Sequence, residues 1–452
     1  MKKHAIYTMS IVCLLYSCNN NVTKTKQQKI TEISTATLPS FKNKIDSLFT
    51  SLEQKNEFMG SISISQNDKV IYQNTIGFED IATSEKASNA TYYKIGSISK
   101  TYTAALILKA IEEQKITLDQ SIDLFFPNIK EAKNITIKNL LNHSSGIPSY
   151  TKYSNFLSYH TQPKTKEELL TLITQVQDKH YTNPKAEYSN SNYVLLTFIL
   201  EKIYQSDFKT ILSEKITAPL QLNNTYYLQN NSPDIVQSYT YNNNSWKELP
   251  ITDLTNALGA GGIIATSTDV NNFLNALFNQ KIINQNSLGQ MQQIEQGFGL
   301  GLVKLTLSSR SSYGHHGDID GYSASAFYFP EEKLAITITS NASNNNIDTI
   351  LNKVLKLYFN DPILSISTKE LKKFTGTYYN PKDSTEESVF ITENDKLVHV
   401  IQNEFKRVLI YKGNRTFLLE QAYAEAMYFT FSEDGKSLSI KQGNYNGTAI
   451  KK

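Results

Sequence analysis

Cysteine is nearly absent from this chain, which has only Cys13 and Cys18 among its 452 residues. Cys13 lies in a short apolar run near the beginning that has the form of a removable export signal. We therefore expect an exported protein without a disulfide, although its compartment would permit one. Its stability must then come from a hydrophobic core, for which 452 residues are ample, in two or three domains.

An excess of charge of one sign is also absent. The chain has 45 lysines and arginines against 42 aspartates and glutamates, a net charge of +3, and no long basic run. This balance gives no indication of nucleic-acid binding. The seven histidines are scattered, and neither an H-E-x-x-H motif nor a pair of C-x-x-C motifs occurs, so the sequence gives no support for a metal site.

The beginning of the chain has the pattern of a bacterial export signal. Two lysines precede the apolar run Ile6–Leu15, which is too short to cross a membrane as a mature helix. The segment Leu15-Tyr16-Ser17-Cys18 resembles the lipoprotein box, in which the cysteine is lipidated and becomes the mature N-terminus. We predict a signal peptide over residues 1–17 and a lipidated, flexible tether over residues 18–40, on a protein anchored in the bacterial cell envelope, in the periplasm or outer membrane. An ordinary cleaved signal peptide is the alternative.

The next segment has the pattern of a helix followed by a hairpin. Phe41–Leu52 is amphipathic, which predicts a helix. Gly60–Ser65 alternates apolar with small polar residues, Asn67-Asp68-Lys69 has turn chemistry, and Val70–Tyr72 is extended in pattern. Together these three segments predict a β-hairpin.

Ser97 and Lys100 are three residues apart in the segment Tyr93–Ala105, where the sequence pattern predicts the start of a helix. Because positions i and i+3 share one face of a helix, the Lys100 amine can reach the Ser97 hydroxyl. Lysine accepts a proton from serine only when burial or nearby positive charge lowers its pKa. The run Ala104–Ile111 is apolar except for Lys109, which predicts a buried helix. This pattern indicates a serine nucleophile, Ser97, with Lys100 as its base.

The S-x-x-K spacing alone is common, and this chain contains two other examples, Ser149 to Lys152 and Ser206 to Lys209. Neither of these pairs begins a buried helix. Ser97 also stands where its backbone N–H group and the positive end of a helix dipole would stabilise a developing oxyanion. The sequence context therefore favours Ser97 over the other two serines.

A second candidate group, Tyr188 and Asn190, lies in a loop just before the apolar helical run Val194–Tyr204. A phenol and a carboxamide two residues apart can point into one cleft, where Tyr188 would transfer protons to and from a leaving group. Asn190 would bind a substrate amide and the Lys100 side chain. The Y-x-N pattern also occurs elsewhere in the chain, for example at Tyr153-Ser154-Asn155 and Tyr241-Asn242-Asn243, so only the turn followed by a helix favours Tyr188.

A third candidate group is the turn His315-His316-Gly317-Asp318. It is followed by two extended runs, Ser323–Phe329 and Leu334–Thr339, that predict a β-hairpin. Gly317 would let a substrate backbone approach the strand edge closely. The N–H group of Asp318 would then be a second oxyanion donor.

His143 is a further candidate, at the predicted end of a helix in the segment Asn139–Pro148, where glycine and proline stop the helix. A histidine at such a position could act as a catalytic base. More often it makes a structural hydrogen bond, and this is what we predict for His143.

Together these groups resemble the penicillin-recognising serine hydrolases, which include class C β-lactamases, D-alanyl-D-alanine carboxypeptidases, D-aminopeptidases and related esterases. The resemblance extends from about Phe41 to Phe359 and rests on five segments: Ile95–Lys100, Leu140–Pro148, Tyr188–Asn190, Gly261–Val270 and the strand that begins at His315. It implies that Ser97 is acylated and that Lys100 and Tyr188 share the proton transfers. Asn190 would orient the substrate, and no cofactor is implied.

The resemblance also implies that the strand His315-His316-Gly317 binds the substrate in an extended form, with the N–H groups of Ser97 and Asp318 as the oxyanion hole. True β-lactamases of this type usually have a lysine at the position of His315, in a K-T-G motif that helps to bind a substrate carboxylate. A histidine with its reference pKa of about 6.5 is mostly neutral at pH 7, which weakens carboxylate binding.

We therefore expect a peptidase or esterase that forms an acyl-enzyme on Ser97. Acylation followed by hydrolysis divides one difficult step into two easier ones. The expected substrate is an ester, a peptide that contains D-amino acids or a peptidoglycan-derived peptide. The alternatives are a true β-lactamase and a non-catalytic lipoprotein that binds peptidoglycan or penicillin.

The resemblance implies an α+β fold, in which a β-lactamase-like antiparallel sheet flanked by helices meets an all-helical subdomain at a cleft. We expect this hydrolase domain over residues 41–360, where the helix Ile347–Phe359 closes the sheet. Beyond it the pattern changes to short strands, the first over Phe374–Tyr379, with a hairpin turn at Asn394-Asp395. This pattern predicts a small all-β barrel or sandwich over residues 363–452, which resembles the lipocalin-like tails of some of these hydrolases.

Overall fold

The computed structural model describes residues 38–153, 155–180, 186–227, 235–307, 310–360, 364, 366–401, 405–419 and 426–452. The predicted signal peptide, the predicted lipidation site Cys18 and the predicted tether up to residue 37 lie outside these ranges. Within them, no helix combines the length and the apolar character that crossing a membrane requires.

The described ranges contain eleven α-helices. They are α1 Leu38–Gln54, α2 Ser99–Glu112, α3 Ile137–Leu141, α4 Phe156–Tyr159, α5 Lys166–His180, α6 Asn190–Tyr204, α7 Phe208–Leu212, α8 Ser267–Phe278, α9 Gln285–Gln292, α10 Ile347–Tyr358 and α11 Thr368–Phe374. The predicted helices in the regions of α1, α6 and α10 are confirmed, although α1 and α6 begin earlier than the apolar pattern indicated.

The strands up to residue 343 form the sheets around the candidate site. They are β1 Phe58–Gln66, β2 Lys69–Ile76, β3 Phe78–Asp80, β4 Glu85–Lys86, β5 Tyr93–Lys94, β6 Thr225–Tyr227, β7 Tyr239–Asn242, β8 Ser245–Glu248, β9 Ile263–Ala265, β10 Val303–Leu307, β11 Arg310–Ile319, β12 Tyr322–Phe329 and β13 Leu334–Ser343. The main sheet has the antiparallel order β10-β11-β12-β13-β1-β2. A small sheet, β5-β9-β6, leads the chain towards Ser97.

The hairpin of β1 and β2 shows how the sequence pattern determines the main sheet. In β1, Ile62 and Ile64 alternate with serines, so that the two faces of the strand carry different side chains. The connecting residues Asn67 and Asp68 have positive φ values of 51° and 62°, the conformation of a two-residue type I′ turn. The predicted hairpin is therefore confirmed.

Helices cover both faces of the main sheet. On the serine face of β1, Asn275 of α8 donates a hydrogen bond to Ser65 Oγ at 2.9 Å. On the other face, Ser325 of β12 donates to Asp348 of α10 at 2.8 Å. Ser325 pairs with Ile338 of β13, which in turn pairs with an isoleucine of β1, so all three lie on this second face. The sheet is thus a layer between α8 and α10.

Helix α2 passes through the largest hydrophobic core of the described chain. Ala104–Leu108 are 0% exposed, so this helix is buried on all sides, as its nearly unbroken apolar sequence predicted. The Tyr102 ring stacks on Phe273 of α8 with ring centroids 3.5 Å apart. This packing fixes the helix that carries Lys100.

The strands beyond residue 375 form a second sheet. They are β14 Gly376–Asn380, β15 Asp383–Glu393, β16 Lys396–Ile401, β17 Phe405–Val408, β18 Ile410–Tyr411, β19 Thr416–Leu419, β20 Met427–Phe431, β21 Ser437–Gln442 and β22 Tyr445–Lys451. Their order, β17-β16-β15-β14-β22-β21-β20-β19-β18, places two consecutive strands at its ends, so the sheet is a nearly closed barrel. The predicted all-β fold of this region is confirmed.

The interior of this barrel is aromatic. Phe431 packs against Phe374 and Phe390 with ring centroids 4.9 Å and 5.2 Å apart. Phe374, which the sequence pattern assigned to the first strand, is instead the last residue of α11. Its ring is fully buried in this aromatic core, so tertiary packing explains why an aromatic residue with high strand propensity ends a helix here.

Candidate active site

Ser97 lies in a tight turn between β5 and α2. Gly96 has a φ of +52°, a conformation that glycine adopts without the steric penalty of a side chain. Gly96–Ile98 form a 3₁₀ turn, and α2 begins only at Ser99, two residues later than the sequence predicted. Because side chains three residues apart also superimpose in a 3₁₀ turn, Ser97 and Lys100 still face each other.

Lys100 is fully buried and contacts neutral hydrogen-bond acceptors. Its Nζ atom lies 3.0 Å from Ser97 Oγ, 2.8 Å from Asn190 Oδ1 and 2.7 Å from the carbonyl oxygen of Ala260. No carboxylate of the described residues forms an ion pair with it. Burial lowers the pKa of the Lys100 amine well below its usual value. The site therefore favours the neutral amine, the form that can accept a proton from Ser97.

Tyr188 contacts the same hydroxyl group. Its OH group lies 2.6 Å from Ser97 Oγ, and Lys100 Nζ lies 4.8 Å from the centroid of its ring. Tyr188 is two residues before α6 begins, so the start of that helix determines its position. The structure thus brings together the three side chains that the sequence indicated for proton transfer.

Asn190 is the first residue of α6 and links the lysine to the opposite side of the site. While its Oδ1 atom accepts from Lys100, its Nδ2 group donates to Thr151 Oγ1 at 2.9 Å. Its backbone N–H group donates to Ser149 Oγ at 3.1 Å. Sequence reasoning predicted the contact with Lys100, but it considered Ser149 only within an S-x-x-K spacing and missed Thr151, which no motif distinguishes.

The alternative pair Ser149 and Lys152 does not form a second nucleophile and base. Lys152 Nζ lies 3.0 Å from the Glu187 carboxylate, and both side chains are exposed. Ser149 Oγ lies 2.9 Å from Thr151 Oγ1. Ser149 therefore positions Asn190, and its lysine is occupied by a surface ion pair.

His143 is buried beside Tyr188. Its Nδ1 atom accepts a hydrogen bond from the backbone N–H group of Ser189 at 3.2 Å, and its ring lies 4.5 Å from that of Tyr188 and 4.9 Å from that of Phe298. Burial lowers the pKa of His143 well below its usual value, which agrees with its role as a neutral acceptor. The predicted structural hydrogen bond is confirmed.

The second half of β11 borders the turn that carries Ser97. Strand β10 pairs with Arg310–Gly314, whereas the described partner of His315–Ile319 is β12 on the other side. A Cβ atom on Gly317 would lie 2.0 Å from the carbonyl oxygen of Ile95 and 3.2 Å from the backbone nitrogen of Ser97. Only glycine permits this close approach, which brings the strand edge against the serine turn.

The two histidines of this strand point to different surroundings. His315 is buried, with its ring 6.1 Å from that of Tyr188, and it donates from Nδ1 to the carbonyl oxygen of His316. Burial lowers the pKa of His315 to about 3, so it is neutral at pH 7. His316 Nδ1 instead lies 2.9 Å from Ser325 Oγ and 2.8 Å from Asp348 of α10. The structure therefore places His316 on the face of the sheet that α10 covers, away from Ser97.

A second buried lysine, Lys94, was missed by sequence reasoning. Its Nζ atom lies 3.1 Å from the Asp320 carboxylate and 2.8 Å from the carbonyl oxygen of Thr252. The backbone N–H group of Thr252 donates to the same carboxylate at 2.7 Å. This ion pair connects β5, just before Ser97, to the residue that follows β11. The only signal in the sequence is a lysine between the apolar residues Tyr93 and Ile95.

A cavity of about 620 Å3 opens beside Ser97. Gly96, Ser97, Asn190 and residues 318–320 line one part of it, and residues from 150–160 and 249–261 line the rest. Ser97 itself is partly exposed, whereas Lys100 is buried. A substrate in the cavity can therefore reach the serine hydroxyl while the lysine stays shielded from water.

The side chains around Ser97 are an amine, a phenol and a carboxamide, a set that suits proton transfer and hydrogen bonding to a substrate. Within the described ranges, no group of three or more histidine, cysteine, aspartate and glutamate side chains is arranged to hold a metal ion.

The chain matches the family model described as Beta-lactamase over residues 45–358. This range includes Ser97, Lys100, Tyr188, Asn190 and all of β11. The match thus spans the whole candidate site and ends at the last residue of α10.

Several known proteins are similar to the chain over most of its length. The Penicillin-binding protein 4* of Bacillus subtilis is 23% identical over 448 residues, which cover 90% of this chain and 98% of that protein. The Teichoic acid D-alanine hydrolase of Staphylococcus aureus is 26% identical over 355 residues, 75% of this chain and 84% of that protein. The solved structure of D-amino acid amidase from Ochrobactrum anthropi SV3 aligns with a TM-score of 0.63 and 21% identity over 71% of this chain and 99% of that chain, a likeness of fold.

Proposed function

We propose, for a chain that belongs to the Beta-lactamase family and is a serine hydrolase, that it cleaves an ester or amide bond of a substrate containing a D-amino acid through an acyl-enzyme on Ser97. The predicted superfamily is confirmed, since the family match lies within the range Phe41–Phe359 that the motifs indicated. The observation that carries the proposal is the position of Ser97 Oγ, within hydrogen-bonding distance of both Lys100 and Tyr188.

In the proposed acylation step, the neutral amine of Lys100 takes the proton of Ser97 as Oγ attacks the carbonyl carbon of the substrate. The negative charge that develops on the carbonyl oxygen is stabilised by the backbone N–H groups of Ser97 and Asp318. The close approach of Gly317 to the serine turn supports this assignment of the two donors. The bond to the leaving group then breaks, and Tyr188 supplies the proton that the leaving group needs.

Hydrolysis of the acyl-enzyme uses the same groups in reverse. A water molecule takes the place of the leaving group beside Tyr188, which removes a proton from it as its oxygen attacks the acyl carbon. Ser97 leaves as the C–O bond breaks, and its oxygen recovers a proton from Lys100. Both side chains then have their initial protonation states, so one cycle consumes one water molecule and releases an acid and an alcohol or amine.

The nature of His315 supports an ester or amide over a β-lactam as the substrate. Burial keeps His315 neutral at pH 7, so it supplies no positive charge for the carboxylate that β-lactams and peptide C-termini carry. One relative is named a teichoic acid D-alanine hydrolase, which makes a D-alanyl ester one candidate substrate. Sequence and geometry together thus favour esterase or aminopeptidase chemistry.

A covalent label tests this proposal. A fluorescent fluorophosphonate should modify the intact protein, and mass spectrometry should locate the adduct on Ser97. The Ser97→Ala variant should not be labelled and should lose hydrolysis of D-alanyl esters and D-amino acid amides. Equal labelling of both proteins would contradict the assignment, and rapid turnover of a chromogenic cephalosporin would show a β-lactamase instead. Peptidoglycan binding without any turnover would favour a non-catalytic role.

We also propose that the protein is exported and attached to the cell envelope through a lipid on Cys18. The support is the apolar run Ile6–Leu15 and the segment that precedes the cysteine. Metabolic labelling with a fatty acid should mark the full-length protein but not a Cys18→Ser variant. Equal labelling of the two would contradict the proposed anchor.

We further propose two folding units, residues 41–360 and residues 363–452. The support is that the main sheet is complete before residue 344, whereas the barrel-like sheet begins at Gly376. Expressed alone, residues 363–452 should show a β-type circular dichroism spectrum and a cooperative unfolding transition. An unfolded fragment would contradict an independent unit.

A further inference from the structure

The position of the cavity beside Ser97 indicates which part of the substrate occupies it. Ser97 and Asp318 line it, whereas Tyr188 is not among its lining residues. In the proposed mechanism, the Tyr188 OH group protonates the leaving group, which must therefore lie on the Tyr188 side of Ser97. The part of the substrate that enters the cavity is then the acyl group. This step rests on the proposed function.

Apolar side chains from separate segments line this acyl cavity. Phe156 and Leu157 belong to the short helix α4, Leu249 and Pro250 belong to the segment after β8, and Ile319 ends β11. Leu157 is 76% exposed, so much of its apolar surface is available to a bound ligand. Covering apolar surface contributes about 25 cal/mol per Å2, which makes an apolar acyl group the best occupant.

The walls of the cavity are held together by hydrogen bonds. The carbonyl oxygen of His160, just after α4, accepts from the backbone N–H group of Asp253 at 2.8 Å and from Asn256 Nδ2 at 2.9 Å. Asn256 Nδ2 also donates to the carbonyl oxygen of Gln162 at 2.8 Å. The cavity is therefore preformed, and 620 Å3 is within the range of about 300 to 1,000 Å3 that suits ligands larger than a single small amino acid.

The described lining of the cavity is poor in positively charged side chains. Among its described lining residues there is no lysine or arginine, and two aspartates, Asp318 and Asp320, are present. Asp320 is paired with the buried Lys94. Asp318 accepts a hydrogen bond from the hydroxyl group of Ser323 at 2.7 Å and has no lysine or arginine partner among the described residues. The described lining therefore offers no lysine or arginine side chain to a substrate carboxylate, and His160 is its one histidine.

We propose that this cavity selects a bulky, apolar acyl group without a carboxylate, such as the acyl group of an aromatic or branched D-amino acid, and that Leu157 determines this specificity. A D-alanyl group would leave most of the cavity unfilled. One extra apolar group in a fitting cavity improves recognition by roughly 10- to 200-fold. The preference for bulky acyl groups should therefore be large enough to measure directly.

Binding to the Ser97→Ala variant, which cannot turn substrates over, tests this proposal. Calorimetry should show that D-phenylalanine amide binds at least about tenfold more tightly than D-alanine amide, and that D-glutamate α-amide, whose side chain carries a carboxylate, binds more weakly than D-phenylalanine amide. In the Ser97→Ala background, Leu157→Ala should weaken the binding of D-phenylalanine amide about tenfold and the binding of D-alanine amide less than about twofold. Leu157→Trp should fill the cavity and also disfavour the bulky amide.

Leu124 provides a matched control, because it is 66% exposed and does not line the cavity. Leu124→Ala should change neither affinity. Equal binding of D-phenylalanine amide and D-alanine amide, or an equal loss of affinity for both in Leu157→Ala, would overturn the proposal.

Turnover and acylation of the wild-type enzyme distinguish a failure of the cavity assignment from a failure of the proposed function. Turnover of D-alanine amide as fast as D-phenylalanine amide would contradict the cavity assignment alone. Selective binding without any acylation of Ser97 would contradict the proposed hydrolase.

Discussion

Two buried lysines on the same stretch of chain have different surroundings. Lys94 and Lys100 are 1% and 0% exposed, so both amines are withdrawn from water. Lys94 lies 3.1 Å from the Asp320 carboxylate, whereas the hydrogen-bond partners of Lys100 are a hydroxyl group, a carboxamide and a backbone carbonyl. The presence of a carboxylate is thus the main difference between them.

This difference shows how one residue type serves structure at one position and chemistry at another. Burial lowers the pKa of both amines, but at Lys94 the Asp320 charge opposes the effect, and at Lys100 no described carboxylate does so. A paired amine keeps its proton and connects two segments. An amine without an anionic partner favours the neutral state, which a base beside a serine requires.

Replacing Lys100 by arginine should have the largest effect on activity. Arginine keeps a positive charge but does not lose its proton at accessible pH, so it cannot accept the proton of Ser97. We expect kcat/KM for a D-alanyl ester to fall about 1,000-fold or more. Lys109→Arg, near the C-terminal end of the same helix, is the control and should keep full activity. A Lys100→Arg enzyme with near-normal turnover would show that another group is the base.

Replacing Lys94 by methionine should act on stability instead. The change leaves the Asp320 carboxylate buried without its partner, which typically costs about 3 to 5 kcal/mol. Urea denaturation should show this fall in the free energy of unfolding, and the double variant Lys94→Met, Asp320→Asn should recover part of it. A loss of only a few tenths of a kcal/mol would mean that the ion pair is not a structural element.

Replacing Asn190 by aspartate would make the surroundings of Lys100 like those of Lys94. The new carboxylate would lie about 2.8 Å from Lys100 Nζ, where Asn190 Oδ1 now lies. It should raise the pKa of Lys100, so that the base is protonated at neutral pH and kcat/KM falls about 100-fold. Because the base is active above its pKa, activity should recover as the pH rises. A uniform loss at every pH would indicate that Asn190 acts on the substrate alone.

Contacts between residues that are close together in the sequence were predictable. The three-residue separation of Ser97 and Lys100 and the apolar run after them predicted a buried amine beside a hydroxyl group, and the structure shows both. The structure also places Tyr188 and Asn190, from the segment before an apolar helix, in contact with Ser97 and Lys100. Helical geometry determines the contact between Ser97 and Lys100 locally, whereas Tyr188 lies 91 positions from Ser97 in the chain.

Most contacts between distant segments were not predictable. The Lys94–Asp320 pair joins residues 226 positions apart, and the carbonyl oxygen of Ala260 has no side-chain signature at all. His316 was grouped with the substrate strand, but alternation along β11 places its side chain on the opposite face, against Asp348. Sequence reasoning identified the strand, while the register with β12 decides which of its two histidines is near Ser97.

The pKa of the Lys100 amine tests the account most directly. NMR of protein with 13C-labelled lysine can follow each amine, with Lys100→Arg and Lys94→Met to assign the two resonances. We expect the Lys100 resonance to titrate well below the ordinary lysine pKa of about 10.4 and below that of Lys94, and kcat/KM to fall as the pH decreases through this value. A Lys100 amine that titrates at or above the ordinary value would contradict the account.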